Sequence, residues 1–184
     1  MAPNPSTGTL PQRAVRAVAE SPLSERVARA QELVYGPVIQ WARGSPLHTA
    51  VLGHSLHPPL TDVTAGCWLG ASLLDVAGGP GGRRGAAVLA GCGLVASVPT
   101  AIAGTADWAE VSGAERRIGA VHALATDVAT FLFLGSLVAR LRGAHRAGTV
   151  LAAAGNLVVA GAGLLGGHLA LQRGTARRAP AALG

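Results

Sequence analysis

The sequence contains no lysine, few aromatic residues and few charged residues of any kind. Only 13% of the 184 residues are charged, whereas about 25% of a typical soluble domain is charged. A soluble domain needs polar residues to cover its core, and residues 58–171 hold too few of them. The composition therefore indicates that lipid, not water, surrounds most of the chain.

The positive charge does not indicate a nucleic-acid-binding protein. All 15 basic residues are arginines, and the net charge is +6. The arginines are scattered between apolar runs, form no basic stripe and are accompanied by only 3% aromatic residues that could stack on bases. Arginine near the ends of apolar segments is typical of membrane proteins. We therefore exclude nucleic acid as a partner and predict membrane lipid instead.

Cysteine and leader sequences add little. Two cysteines, Cys67 and Cys92, cannot form a disulfide framework, and both fall inside apolar segments. Residues 1–46 contain no apolar run of the kind that a signal peptide needs. We therefore expect the first membrane segment to act as the insertion signal.

Four apolar runs of about 20 residues each predict four transmembrane helices. The runs cover residues 58–78, 86–106, 118–139 and 148–171. The connections between them are short, so neighbouring helices are expected to run antiparallel. The predicted fold is all-α, a four-helix transmembrane up-down bundle that occupies residues 44–174.

Residues 1–43 are predicted to be an N-terminal tail with an amphipathic helix, and residues 175–184 a C-terminal tail. The first 20 residues are expected to be mobile. Residues 21–35 carry a helical pattern that begins at Ser21 and Pro22 and repeats apolar residues every three or four positions. This helix is expected to lie on the membrane surface or to dock against the bundle.

Histidines and acidic residues gather at one end of the predicted bundle, which we call side A. The up-down topology brings to side A the beginnings of runs one and three and the ends of runs two and four. The residues in question are His54, His57, Asp62, Asp107, Glu110, His122, Asp127 and His168. Ionisable groups inside membrane segments are costly and usually face a bundle interior or a site. The opposite end, side B, receives Asp75, expected to pair with Arg83 or Arg84.

These residues also have structural interpretations. A histidine near a helix end, such as His54, can lie at the level of the lipid headgroups without binding anything. Asp62 and Asp107 can cap helix ends or pair with arginines. The clustering of several such residues on four helices is what favours a site.

Four short motifs resemble those of the DUF2231 family of predicted membrane proteins. The motifs are Gly53-His54-Ser55-Leu56-His57-Pro58, Thr105-Ala106-Asp107-Trp108, Val121-His122-Ala123-Leu124 and Gly166-Gly167-His168-Leu169. The resemblance extends over roughly residues 44–174, which is most of the chain. Two positions depart from the family pattern: Ser55 replaces a proline, and Thr126-Asp127 stands where many relatives have an asparagine.

The resemblance implies a four-helix membrane domain, without an established activity. Some relatives continue after the fourth helix into a Rieske-type iron–sulfur domain, which implies redox work and a side A that faces the cytoplasm. Residues up to Gly184 contain no such domain, so a separate redox partner, such as a Rieske-type protein, is expected. Location in the cell membrane with both termini in the cytoplasm follows from the same precedent, and a homo-oligomer is compatible with the sequence.

Three functions remain open at this stage. The first is electron transfer through haem b or a transition metal. Its candidate ligands are His54, His57, His122, His168 and Asp107, with Asp62 and Asp127 as supporting polar groups. His122 and His168, on different helices at a similar depth, are the favoured pair. The second is a non-catalytic membrane module that docks to or stabilises a partner complex. The third is proton or solute passage, which needs a polar route to side B, where Asn156 is the main candidate.

Overall fold

The structure is a computed structural model that describes residues 8–43 and 55–172, and every regular element in these two ranges is helical. The helices are α1 (Leu10–Glu20), α2 (Pro22–Arg43), α3 (His57–Ala77), α4 (Gly79–Trp108), α5 (Gly113–Leu141) and α6 (His145–Gly167), followed by a π-helical turn (His168–Gln172). The all-α prediction is confirmed.

Three helices are long and apolar enough to cross a membrane, which makes this a candidate membrane protein. They are Gly79–Trp108, Gly113–Leu141 and His145–Ala170. The remaining predicted span forms α3, with 21 residues, but α3 is not one of the three. Two aspartates, Asp62 and Asp75, and several hydroxyl residues lower its hydropathy.

The N-terminal region is more helical than predicted. Leu10–Glu20, expected to be mobile, form α1, which begins where the Gln12 side chain accepts a hydrogen bond from the Thr9 N–H at 2.9 Å. Val15 on this helix is buried against Ile118 of α5 and Leu165 of α6. The predicted helix at 21–35 continues to Arg43 as α2, which packs on both α4 and α5.

The α3–α4 and α5–α6 segments are two copies of one helical hairpin. In the first helix of each, the same separation along the chain relates several residues to their counterparts. These pairs are His57 with His122, Thr61 with Thr126, Asp62 with Asp127, Trp68 with Phe133, Gly70 with Gly135 and Asp75 with Arg140. The chain turns between the helices of each hairpin at Gly79 and at Gly143, whose φ angles of 53° and 78° favour glycine.

A second constant separation relates α4 to α6. These pairs are Arg84 with Arg146, Ala90 with Ala152, Gly93 with Gly155, Thr100 with Ala162 and Gly104 with Gly166. Gly93 and Gly155 have the same role in the two hairpins. A Cβ at Gly93 would lie 2.4 Å from Trp68, and a Cβ at Gly155 would lie 2.7 Å from Phe133. Each glycine thus lets an aromatic ring of the first helix lie against the backbone of the second.

Three residues of the first hairpin contact their own counterparts in the second. The rings of Trp68 and Phe133 stack with centres 4.3 Å apart and planes 5° from parallel. A residue can touch its own counterpart only at the axis that relates the two copies. These axial contacts are His57 with His122, Trp68 with Phe133 and Asp75 with Arg140.

The axial contacts place the two hairpins side by side in the same orientation. α3 contacts α4 and α6, and α5 contacts the same two helices, so the four close into a ring. The axis runs from the histidines at side A, where α3 begins, to the ion pair at side B. Asp75 therefore pairs with Arg140 of the other hairpin; it was predicted to pair with Arg83 or Arg84.

Candidate histidine site

His57, the first residue of α3, is held by α4. Its Nδ1 lies 2.9 Å from the backbone oxygen of Thr100. A carbonyl oxygen can only accept, so Nδ1 carries the proton, and the neutral ring keeps its lone pair on Nε2. The ring lies against Gly104, where a Cβ would be 2.8 Å from the His57 Cε1 atom.

His122 repeats this arrangement in the second hairpin. Its Nδ1 lies 2.9 Å from the backbone oxygen of Ala162 in α6, the counterpart of Thr100. A Cβ at Gly166, the counterpart of Gly104, would lie 2.9 Å from the His122 Cε1 atom. Both imidazoles therefore have the same tautomer in their neutral form, fixed by the neighbouring helix.

The two imidazoles meet at the axis. Their ring centres lie 6.0 Å apart and their planes are at 89° to each other. Each ring also lines a cavity of about 270 Å³ whose wall is built from α2, α3, α4, α5 and the end of α6. The wall is largely apolar, and its ionisable and amide side chains are Gln31, Tyr35, His57, Asp107, His122 and Asp127.

Asp127 is bound by Tyr35, which reaches it from α2. The Tyr35 hydroxyl donates to Asp127 Oδ2 at 2.7 Å. This hydrogen bond, together with burial and the negative charge of the carboxylate, raises the pKa of Tyr35 to about 12. Asp62, the counterpart of Asp127, is exposed and does not line the cavity. The axis therefore relates the histidines but not their surroundings, because α2 covers only one side.

Asp107, near the end of α4, binds the beginning of α3 through Ser55. Its carboxylate accepts a short hydrogen bond from the Ser55 hydroxyl. The Ser55 oxygen in turn accepts from the His57 backbone N–H at 3.1 Å. Ser55 thus accepts from one of the N–H groups that the first turn of α3 leaves unpaired, and it ties this turn to the end of α4. Asp107 lines the cavity and, through Ser55, helps to hold the backbone of His57 in place.

Gln31 presents an unsatisfied polar group to the cavity. Its side chain is only 8% exposed, and its Nε2 atom has no hydrogen-bond partner among the residues that the structure describes. Buried amide groups without a partner are rare and costly in folded proteins. This donor is available to an acceptor in the cavity.

Ion pairs fasten α2 at its two ends. Arg116 of α5 lies 3.2 Å from Glu25 and 2.7 Å from Glu32. The hydrogen bond from Arg116 holds the pKa of Glu25 below its usual value of 4.5. At the other end, Arg43 lies 3.0 Å from Glu110, between α4 and α5. The wall that α2 contributes is therefore bound to the hairpins by charge as well as by packing.

The structure brings together only part of the predicted ligand set. His57, His122, Asp107 and Asp127 all line the cavity, whereas His168, in the π-helical turn, does not. His54 lies outside the described residues. Within residues 8–43 and 55–172, no group of three or more His, Cys, Asp or Glu side chains is placed to hold a metal ion.

Several residues of the site were not predicted. Gln31 and Tyr35 come from α2, which was read only as amphipathic, and Gly104 and Gly166 were not singled out. The internal repeat is the signal that could have found the glycines, because it aligns the two histidines and the two glycines at once.

No family model, curated protein or solved structure matches the chain.

Proposed function

We propose that the chain is a four-helix transmembrane protein in which α3 crosses the membrane beside the three more apolar helices. The internal repeat supports this, since α3 is the counterpart of α5 and meets it at three levels along the axis. α3, with 21 residues, runs beside the part of α5 from His122 onward, and this length is enough for a helix to cross the hydrocarbon of a bilayer. Location in the cell membrane, cytoplasmic termini and membership of DUF2231 belong to the same proposal and rest on the sequence motifs.

We further propose that His57 and His122 would hold a haem b, which would supply one-electron transfer. The observation that carries this is the pair of Nδ1–H donors, each bound to a backbone carbonyl. Metal-bound histidine commonly donates its other ring N–H in this way, which orients the ring and raises the basicity of the ligating nitrogen. Both Nε2 lone pairs are left for a ligand.

The spacing of the rings fits two ligands on one metal ion. Two imidazoles that would hold one metal ion, each at about 2.0–2.1 Å, would have their ring centres no more than roughly 6 Å apart. The measured separation is 6.0 Å. Two imidazoles are also the number that haem needs, because the porphyrin supplies the other four nitrogens. A lone transition metal usually takes further protein ligands, and none is placed for it within the described residues.

The cavity fits part of a haem. Its volume of about 270 Å³ is close to the lower limit of ligand pockets, about 300–1,000 Å³, so an edge of the macrocycle would lie outside it. The Gln31 amide could donate to an acceptor at the rim. When bound, haem supplies one-electron chemistry, and a Rieske-type or other redox protein would exchange electrons with it at side A.

A second candidate function is a non-catalytic membrane module. It is favoured by the same hydrogen bonds, because each histidine joins two helices whether or not a ligand is present. In that case the histidines would stabilise the hairpins and side A would serve to dock a partner complex.

The absorption spectrum of the full chain, purified in mild detergent with and without added haemin, separates the two candidates. We expect a Soret band in the wild type that is lost in His57→Ala and in His122→Ala. His168→Ala and His145→Ala are matched controls that should keep it. A wild type with neither a Soret band nor stoichiometric metal would end the haem proposal. Loss of stability in His57→Ala and His122→Ala without any spectrum would then favour the module.

A further inference from the structure

The outer face of α2 changes character halfway along the helix. Its second half exposes apolar side chains at spacings that place them on one face. These are Leu33, Val34, Pro37, Val38 and Trp41. Leu33 is 85% exposed and Val34 is 70% exposed, so protein covers very little of this stripe.

The first half of α2 has a charged outer face. Arg26 and Arg29 are both exposed, and Arg29 makes only a loose pair with Glu25 at 3.6 Å. A helix with a charged first half and an apolar stripe that ends before the Arg43–Glu110 ion pair suits a position at the boundary between headgroups and hydrocarbon. Arginine suits anionic headgroups, and tryptophan suits the membrane–water interface.

The opposite face of α2 fixes the depth of this stripe. It packs on α4 and α5, two of the helices long and apolar enough to cross a membrane. Tyr35 reaches Asp127, which lies at the middle of α5. The stripe is therefore continuous with the outer faces of two spans, at a level where hydrocarbon surrounds them.

We propose that residues 33–41 of α2 lie in the hydrocarbon of the side A leaflet, with Arg26 and Arg29 among anionic headgroups. The occupant of the exposed stripe is lipid acyl chain. This inference rests on the proposed membrane crossing by α4 and α5, and not on the histidine site. It makes lipid, not water, the medium behind the wall formed by Gln31 and Tyr35.

Nitroxide labels on the full chain in vesicles of phosphatidylcholine and phosphatidylglycerol test this placement. The background carries Cys67→Ala and Cys92→Ala, and single cysteines replace Leu33, Val34 or Arg26. We expect labels at 33 and 34 to collide several-fold more with oxygen than with an aqueous nickel chelate, and the label at 26 to show the reverse. Equal access of the nickel chelate to all three positions would overturn the inference.

A label at position 131, where Phe131 is exposed on α5, tests the membrane crossing separately from the placement of α2. Access of the nickel chelate to position 131 would remove the membrane crossing itself. Protection at 131 with access at 33 and 34 would overturn only the placement of α2. Spin–spin broadening between copies labelled at 34 would also overturn it, because a second chain would then cover the stripe.

A measurement without cysteine substitution guards against a background that fails to fold. Trp41 is the one tryptophan on the stripe, and its contribution is the difference in fluorescence between wild type and Trp41→Phe. We expect lipids brominated on the acyl chains to quench this contribution strongly. Quenching by aqueous iodide in place of brominated lipid would contradict the inference.

Discussion

Asp75 and Arg140 occupy equivalent positions in the two hairpins and bind each other through two hydrogen bonds. Arg140 Nη1 donates to Asp75 Oδ1 at 2.7 Å, and Nη2 donates to Oδ2 at 2.5 Å. The Arg140 side chain is 1% exposed and the Asp75 side chain is 4% exposed. Arg140 Nε also donates to the Ser136 hydroxyl at 3.1 Å. The pair closes side B of the axis, as the histidines mark side A.

Removal of one member of this pair should be more harmful than removal of both. Arg140→Met leaves a buried carboxylate without a partner, and Asp75→Leu leaves a buried guanidinium; each should cost about 3–5 kcal/mol of unfolding free energy. The double variant should cost much less, since no lone charge remains. Unfolding in detergent measures all three, with Asp62→Asn, at the exposed counterpart of Asp127, as a control. Additive losses in the double variant would contradict the coupling.

Alanine at Gly104 or Gly166 should displace a histidine ring. A Cβ at these positions would lie 2.8 Å from His57 and 2.9 Å from His122, and each ring is held by its carbonyl bond. We expect a loss of about 1–3 kcal/mol from overpacking and, if haem is bound, an altered Soret band. Gly91→Ala in α4 and Gly163→Ala in α6 are controls, because a Cβ there meets nothing closer than 3.8 Å. Equal effects of all four substitutions would refute a specific role for the two glycines.

The hydrogen bond between Tyr35 and Asp127 should appear in the titration of the phenol. The chain has one tyrosine, so the ultraviolet absorbance of phenolate reports Tyr35 alone. The wild-type pKa should be about 12, and Asp127→Asn should bring it down toward 10, the usual value. Because the folded pKa is raised, the stabilisation is complete below pH 10 and is lost as the pH rises toward 12. An unchanged titration in Asp127→Asn would contradict the contact.

Acid should loosen α2 through Glu25. Its pKa is lowered in the folded state, so its contribution to stability is present above the usual value of 4.5 and is lost as the pH falls through the folded value. Hydrogen exchange of α2 should therefore speed up on acidification in the wild type, and Glu25→Gln should show the faster exchange already at neutral pH. Glu20→Gln is the control, because Glu20 forms no ion pair within the described residues. The same acid response in Glu25→Gln would remove Glu25 as its cause.

Helix type and approximate length could be predicted from the sequence, because apolar runs of about 20 residues leave few alternatives. α5 and α6 each begin several residues before the predicted runs, at Gly113 and His145. Polar and charged residues in the first turns do not interrupt a helix, so an apolar run marks the membrane-compatible part and not the whole element. The hydropathy of each span by itself also could not reveal that α3 and α5 are equivalent helices of a repeat. That equivalence is found only by comparing the sequence with itself.

The sequence was enough to predict at which end of the molecule the site lies, but not which residues form it. Topology alone placed His57, His122 and His168 at side A and favoured His122 with His168 as the pair; the structure instead brings His57 and His122 to 6.0 Å from each other. Topology could not tell which face of α3 carries Asp62, and that face is exposed. Nor could it predict Tyr35, because a tyrosine on an amphipathic helix fits lipid headgroups as well as it fits a buried carboxylate.

The unlike charges at the side B end of the axis make the association of the two hairpins heterotypic. Two copies of the first hairpin would bring aspartate against aspartate, and two copies of the second would bring arginine against arginine, in each case without water to screen the repulsion. Expressed as separate polypeptides, residues 55–110 and 111–172 should therefore choose each other over themselves. Because Asp75 and Arg140 are opposite in charge at equivalent positions, pairing of the two different hairpins should be more stable than pairing of either hairpin with a copy of itself.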